Sequence, residues 1–266
     1  GVVPGDVFVA VDGKSIRGMP REASTARIKG PAGTDVRLTI SHGGRRRTVR
    51  MTRARVLVPV VASAMREGCD RKVGVVALAQ FSSGAHAEVN AALRRLKRRG
   101  AERFVLDLRG NGGGLVSEAQ LIASAFLRDG KIVTTRGRDV PERTLEATGD
   151  PVVPRQPLSV LVDRDTASAS EIVTGALQDR DRATVVGTRT FGKGVFQEVI
   201  ELSNGGALDI TAGQYFTPSG RNLGGEGVKT GAGIIPDVGA RDNPRTAHDE
   251  ALRVALDVAG GCAERT

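Results

Sequence analysis

Apolar and polar positions alternate in two different rhythms along this chain. In the first fifty residues the rhythm is short. Val7-Phe8-Val9-Ala10-Val11 predicts a strand closed by an Asp12-Gly13 turn, and Pro20 to Lys29 predicts a short helix stopped by Gly30-Pro31. Val36 to Ile40 and Thr48 to Met51 alternate around a Gly43-Gly44 turn, as two strands of a hairpin do. Residues 56–72 have little pattern and are expected to form a connector.

From Val73 onward, short apolar runs alternate with longer amphipathic ones. Strands are predicted at Val73–Leu78, Phe104–Leu108, Leu158–Val162 and Thr184–Gly187; Phe104–Leu108 and Leu158–Val162 are apolar enough to be buried. Between them, Ala85–Arg98, Val116–Leu127 and Ser168–Gln178 repeat at helical spacing. Val195 to Leu202 reads as a strand, with an Asn204-Gly205 hairpin signal after it, and Thr246–Ala259 as a last amphipathic helix. The expected fold is α/β with a mixed sheet over 73–266, preceded by a smaller unit over 1–55.

Composition narrows the function classes. Hydrophobic residues make up 39% of the 266, enough for a core, and no apolar run reaches membrane-spanning length. The net charge of +9 is spread along the chain, with local runs at Arg45–Arg47 and Arg94–Arg99. These runs lack the interleaved aromatics that stack bases, so they read as solvated surface or as a patch for an anionic membrane or wall polymer rather than for nucleic acid. Cys69 and Cys262 are far apart and have no metal-ligand spacing; two thiols and one disulfide both remain open. His42, His86 and His248 stand singly in polar stretches, so neither a metal cluster nor a histidine base is expected. The chain begins at Gly1 within a turn sequence, and further residues upstream, including an export signal, are expected.

Three segments carry chemistry. Thr166-Ala167-Ser168-Ala169-Ser170-Glu171 follows a buried strand and opens a helix. A serine there is an N-cap or a nucleophile lying near free backbone N–H groups. Phe191-Gly192-Lys193-Gly194 sets one lysine among small residues. It is a surface lysine or a base, and a lysine works as a base only when neutral, which burial favours. Gly112-Gly113-Gly114 offers unobstructed N–H groups, for a phosphate, for an oxyanion or for a plain turn. Gly187 to Lys193 also matches the first seven positions of a phosphate-binding loop. The eighth is Gly194, and a strand follows where a helix is required, so no nucleotide is expected.

In order, Asp107-Leu108-Arg109-Gly110-Asn111-Gly112-Gly113-Gly114, Thr166 to Ile172, and Arg189 to Gln197 resemble the C-terminal processing (tail-specific) peptidases, PDZ-containing serine proteases with a Ser/Lys dyad. The resemblance extends from residues 1–55, similar to a PDZ domain lacking its N-terminal part, to Ile235-Pro236-Asp237. It implies Ser168 as nucleophile, Lys193 as base and Gln197 as the residue that orients the lysine. It also implies an oxyanion hole from the N–H of Ala169 and one from the Gly113-Gly114 pair. No metal or cofactor is implied. Protein or peptide substrates with accessible C-termini and an extracytoplasmic setting are. The alternative is an inactive peptide-binding scaffold on the same fold.

Overall fold

The computed structural model describes residues 1–54, 59–138, 140–225 and 232–262, except for the side chains of Glu198 and Val199. The chain divides into two compact units, Gly1–Val58 and Pro59–Thr266.

The first unit is a four-stranded antiparallel sheet with one helix. Its elements are β1 (Val7–Val11), β2 (Lys14–Ser15), α1 (Arg21–Ile28), β3 (Asp35–His42) and β4 (Arg45–Thr52), with strands in the order β2-β1-β3-β4. Asp12 and Gly13 turn the chain from β1 into β2, both with positive φ. The core is small: Val11, Val36, Leu38 and Ile40, with Ile16, Ile28 and Val49 against them. Helix α1 has no fully buried residue, and Val7 and Phe8 are exposed.

The second unit is built on a six-stranded sheet. Its strands are β5 (Val61–Gly68), β6 (Arg71–Leu78), β7 (Arg103–Asp107), β10 (Leu158–Val162), β11 (Thr184–Gly187) and β14 (Val238–Gly239). The order is β14-β11-β10-β7-β6-β5, parallel except for the antiparallel edge pair β5–β6. A mixed sheet is therefore present. The stretch expected as a connector is partly strand: β5 pairs with β6 from Val61–Leu78 to Gly68–Arg71. Its burial alternates only weakly at the sheet's edge, which is why the pattern was faint.

Strand residues alternate between two cores, as a pleat requires. Val76, Leu78, Phe104, Leu106, Val160 and Val185 face α2 (Ala85–Arg98), α3 (Val116–Ser124) and α4 (Ala169–Asp179). Val73, Val75, Val105, Leu161 and Val186 face α5 (Glu250–Gly260) on the other side. A second, antiparallel sheet in the order β12-β13-β8-β9 joins β8 (Lys131–Gly137), β9 (Arg143–Glu146), β12 (Val195–Glu201) and β13 (Ala207–Phe216). Strands β8 and β9 were not foreseen; threonines and arginines dilute their apolar pattern. No helix among the described residues is long and apolar enough to cross a membrane.

Two devices fasten α5. Asp249 caps it, accepting from Leu252 N–H at 2.8 Å, and forms a two-pronged ion pair with Arg109 at 2.8 and 2.9 Å. The Arg109 guanidinium beside it holds the Asp249 carboxyl below its ordinary range. Burial opposes the charge on Arg109, but the bonds it donates to Asp107 and Asp249 outweigh that, so its pKa rises. At the far end of α5 a disulfide joins Cys69, in the β5–β6 turn, to Cys262, with Cα atoms 6.1 Å apart. A side chain at Gly260 has no room there, since its Cβ would stand 2.7 Å from the Gly68 carbonyl oxygen.

The disulfide spans 193 residues of sequence. Closing so long a ring removes much freedom from the unfolded chain, for a contribution of about 2–5 kcal/mol. Reduction with a thiol, or Cys69→Ser with Cys262→Ser, is expected to lower the melting temperature by roughly 5–15 °C in differential scanning calorimetry. The Asp249→Asn variant is expected to be less stable than wild type by about 1 kcal/mol at neutral pH. The folded pKa of Asp249 is depressed, so this contribution is present above the ordinary value of 3.8 and is lost as pH falls through the folded value. Denaturant curves of the two proteins should converge at low pH.

Candidate active site

The chemistry-bearing segments all leave the C-terminal ends of neighbouring parallel strands, the edge where open α/β sheets bind ligands. The glycine loop 110–114 follows β7, the Ser168 turn follows β10, and the Lys193 segment follows β11. Topology thus brings together three stretches that are 25 to 80 residues apart along the chain.

Ser168 sits at the N-cap of α4 with φ 57° and ψ −118°. For a residue with a Cβ this is a strained conformation, costing on the order of 1–3 kcal/mol. Strain of that kind persists only where surrounding bonds impose it, and here they are specific. Ala167 N–H donates to the Asn111 carbonyl at 3.0 Å, the Thr166 hydroxyl donates to the Leu108 carbonyl at 2.9 Å, and Ser168 N–H donates to Glu171 Oε2 at 2.9 Å. Ser168 itself is half-buried. Ser170, two residues on, is fully buried and donates its hydroxyl to the Asn111 carbonyl at 2.9 Å. It is thus enclosed within the turn.

Glu171 is 0% exposed and accepts four hydrogen bonds. Its Oε1 takes the Thr190 hydroxyl at 2.5 Å and Gly192 N–H at 2.7 Å; its Oε2 takes Ser168 N–H and Lys193 N–H, each at 2.9 Å. One oxygen therefore grips the backbones of Ser168 and Lys193 together, two hydrogen-bond lengths apart. Thr190 extends the grip, its hydroxyl accepting from Ile234 N–H at 2.7 Å, and Phe191 N–H donates to the Thr166 carbonyl at 3.0 Å. Lys193 is half-buried. Gly194 beside it touches backbone so closely that a Cβ would meet Gly224 N at 2.0 Å.

Gln197 is exposed and pairs with Thr211 in the β12–β13 ladder. A bulge separates Phe196 from Gln197, and Lys193 precedes β12, so straight-strand alternation does not relate Lys193 to Gln197.

The glycine loop lies directly against the serine. A Cβ on Gly113 would stand 2.8 Å from Ser168 Cβ and 2.9 Å from Ala169 N. The Asn111 side chain stiffens the loop: it is fully buried, donates to the Leu78 carbonyl at 2.7 Å and accepts from Gly113 N–H at 2.9 Å. The Gly113 N–H is thereby occupied. Among the described residues the N–H groups of Gly114 and Ala169 have no protein acceptor. Phe81 clasps the loop from the side, donating N–H to the Gly113 carbonyl at 3.0 Å and accepting from Leu115 N–H at 2.8 Å. Beyond it, Glu118 on α3 accepts from Gly84 N–H, His86 N–H and His86 Nδ1. Burial pushes the Glu118 carboxyl up, but these bonds prevail and its pKa is lowered.

Glu171, Asn111, Thr190 and Thr166 were quoted above only as neighbours in motifs. The Ser168-x-x-Glu171 spacing of a capping box was the available signal for Glu171.

Residues 72–239 match the family described as Peptidase family S41. The chain belongs to that family. It is 39% identical over 240 residues to a carboxyl-terminal-processing protease of Synechocystis, covering 89% of this chain and 55% of that one. It is 37% identical over 243 residues to the carboxy-terminal-processing protease of Bartonella bacilliformis, covering 90% of this chain and 54% of that one. The chain thus spans about half the length of the curated relatives it matches. Among solved structures, a photosystem II D1 C-terminal processing protease superposes with TM-score 0.64 at 32% identity, over 96% of this chain and 67% of that one. A Bacteroides fragilis chain assigned to S41 shares the fold, with TM-score 0.63 at 18% identity, over 98% of this chain and 74% of that one.

The Glu171 grip makes a definite expectation. In Glu171→Gln the amide nitrogen replaces one acceptor, so two of the four donors face a donor. Small displacements of Ser168 and Lys193 should follow and lower kcat by about 100-fold, with KM changing little. Equal kcat in the variant, measured on a folded sample, would show that the carboxylate supports the fold alone.

Proposed function

We propose that this chain is the catalytic part of a serine endopeptidase that cuts protein substrates near their C-termini by acyl transfer. Ser168 is the nucleophile and Lys193 the base. The observation that carries this reading is the single Glu171 oxygen that binds both backbones, beside a serine in a strained, half-exposed conformation. A purely structural cap needs no such strain. The enclosure of Ser170 supports Ser168 as the reacting residue.

Lys193, neutral, takes the hydroxyl proton of Ser168 as Oγ attacks the scissile carbonyl carbon. The carbonyl π pair moves onto oxygen, and the N–H groups of Ala169 and Gly114 donate to the oxyanion. The oxyanion collapses, the C–N bond breaks, and the Lys193 ammonium protonates the departing amine. A water then gives its proton to Lys193 and attacks the ester carbonyl; the acyl C–Oγ bond breaks, Oγ takes the proton back from the Lys193 ammonium, and the acid leaves. Gln197 is the residue proposed to orient the lysine. The exposed Leu115 and Phe191, beside the glycine loop and the Lys193 segment, offer apolar surface for the residues flanking the cut.

The first unit is read as the remaining part of a PDZ domain; its unburied α1 and exposed Val7 and Phe8 are consistent with an uncovered face. The disulfide supports an extracytoplasmic setting, since such bonds persist in oxidising compartments. Curated relatives named as C-terminal processing proteases support the choice of substrate end.

A fluorophosphonate probe is expected to label Ser168 in wild type and nothing in Ser168→Ala, which should retain its far-UV circular dichroism and lose casein cleavage. Labelling of Ser170, or none at all in the wild type, would overturn the assignment, the latter in favour of an inactive scaffold. Lys193→Arg should be inactive at every pH, because a guanidinium stays protonated. Gln197→Ala should retain reduced turnover; full activity would make Gln197 a packing residue.

A further inference from the structure

The parallel sheet of the second unit has two edges. The catalytic segments leave its C-terminal edge. At the opposite edge, where β6 and β7 begin and α2 ends, cations gather. Arg94, Arg95, Lys97 and Arg98 of α2 and Arg99 after it are all exposed, and so are Arg71 and Lys72 at the start of β6. The Lys72 stem lies against the end of α2, for a Cβ on Gly100 would be 3.9 Å from its Nζ. Arg94, Lys97 and Arg98, with Val152, line one shallow depression between them.

Among the described residues, none of these cations forms an ion pair. Their polar contacts are few: Arg95 reaches Ser63 Oγ at 2.5 Å and Lys97 the Val152 carbonyl at 3.4 Å. Glu67 stands opposite Lys72 in the β5–β6 register and Glu102 precedes β7, and neither is paired with a member of the cluster. Cations in the last turn complement a helix dipole, but that accounts for the end of α2 alone. Arg94 lies a turn earlier, and Arg71 and Lys72 belong to a strand. Like charges four residues apart, as in Arg94/Arg98 and Arg95/Arg99, repel. An anionic partner removes that repulsion.

We propose that this cationic edge docks the protein on an anionic phospholipid bilayer, with the catalytic edge turned away from it. Two observations favour lipid over nucleic acid. The patch holds no aromatic side chain for base stacking. The Cys69–Cys262 disulfide fits an oxidising compartment, where such bonds persist and where a membrane surface offers extended anionic charge. Juxtaposed Lys and Arg side chains add their attractions to such a surface, and the attraction decays within a Debye length. The proposal stands apart from the peptidase reading and can fail or succeed without it.

The test is co-sedimentation with phosphatidylglycerol–phosphatidylcholine vesicles and with phosphatidylcholine alone. Binding at low salt should be at least about tenfold tighter to the anionic vesicles and should vanish near 0.5 M salt. The Arg94→Glu/Arg98→Glu variant should lose this preference. Arg164→Glu/Arg241→Glu, an equal charge reversal at the catalytic edge, should keep most of it. Calorimetric melting checks that both variants fold. Equal binding to both vesicle types, or equal losses in the two variants, would overturn the proposal. So would wild-type binding to duplex DNA, but not to the vesicles, that the Arg94→Glu/Arg98→Glu variant loses.

Discussion

Everything at the candidate site depends on one buried carboxylate. Glu171 is held by four hydrogen-bond donors, one from the Ser168 turn and three from the stretch between Thr190 and Lys193. A buried charge left short of partners costs several kcal/mol, so the donors cannot drift apart cheaply. That constraint is what can keep Ser168 in a conformation it would otherwise leave. The strain of the serine and the burial of the glutamate are two sides of one arrangement.

The sheet makes the arrangement reachable. Parallel strands deliver their loops to the same edge, so the glycine loop, the serine turn and the lysine segment meet without any of them being long. Asn111 does for the glycine loop what Glu171 does for the backbones of Ser168 and Lys193. Its side chain binds Leu78 and Gly113 while its carbonyl receives Ala167 and Ser170. The Gly113 N–H, already given to Asn111 Oδ1, is not free to serve any other acceptor.

Much of this was legible in the sequence where the pattern is local. The helix over Ala85–Arg98 and the buried strand Leu158–Val162 coincide with the structure, because each carries its period in its own side chains. Strand β5 was not legible, because an edge strand needs only one apolar face and gets its order from β6. The motif order pointed to Ser168 and Lys193, while the roles of Glu171 and Thr190 were hidden, since they consist of bonds to residues distant along the chain. The strained serine was equally hidden: no Gly-x-Ser-x-Gly pattern marks it, and its backbone angles are imposed from outside the turn.

The covalent link between Cys69 and Cys262 also decides what damage to this chain would look like. Both Ser168 and Lys193 lie within the ring it closes. A single backbone scission anywhere inside that ring leaves the two pieces tethered. A molecule nicked by itself or by another protease would migrate at full mass on a non-reducing gel and separate into fragments only after the thiols are released.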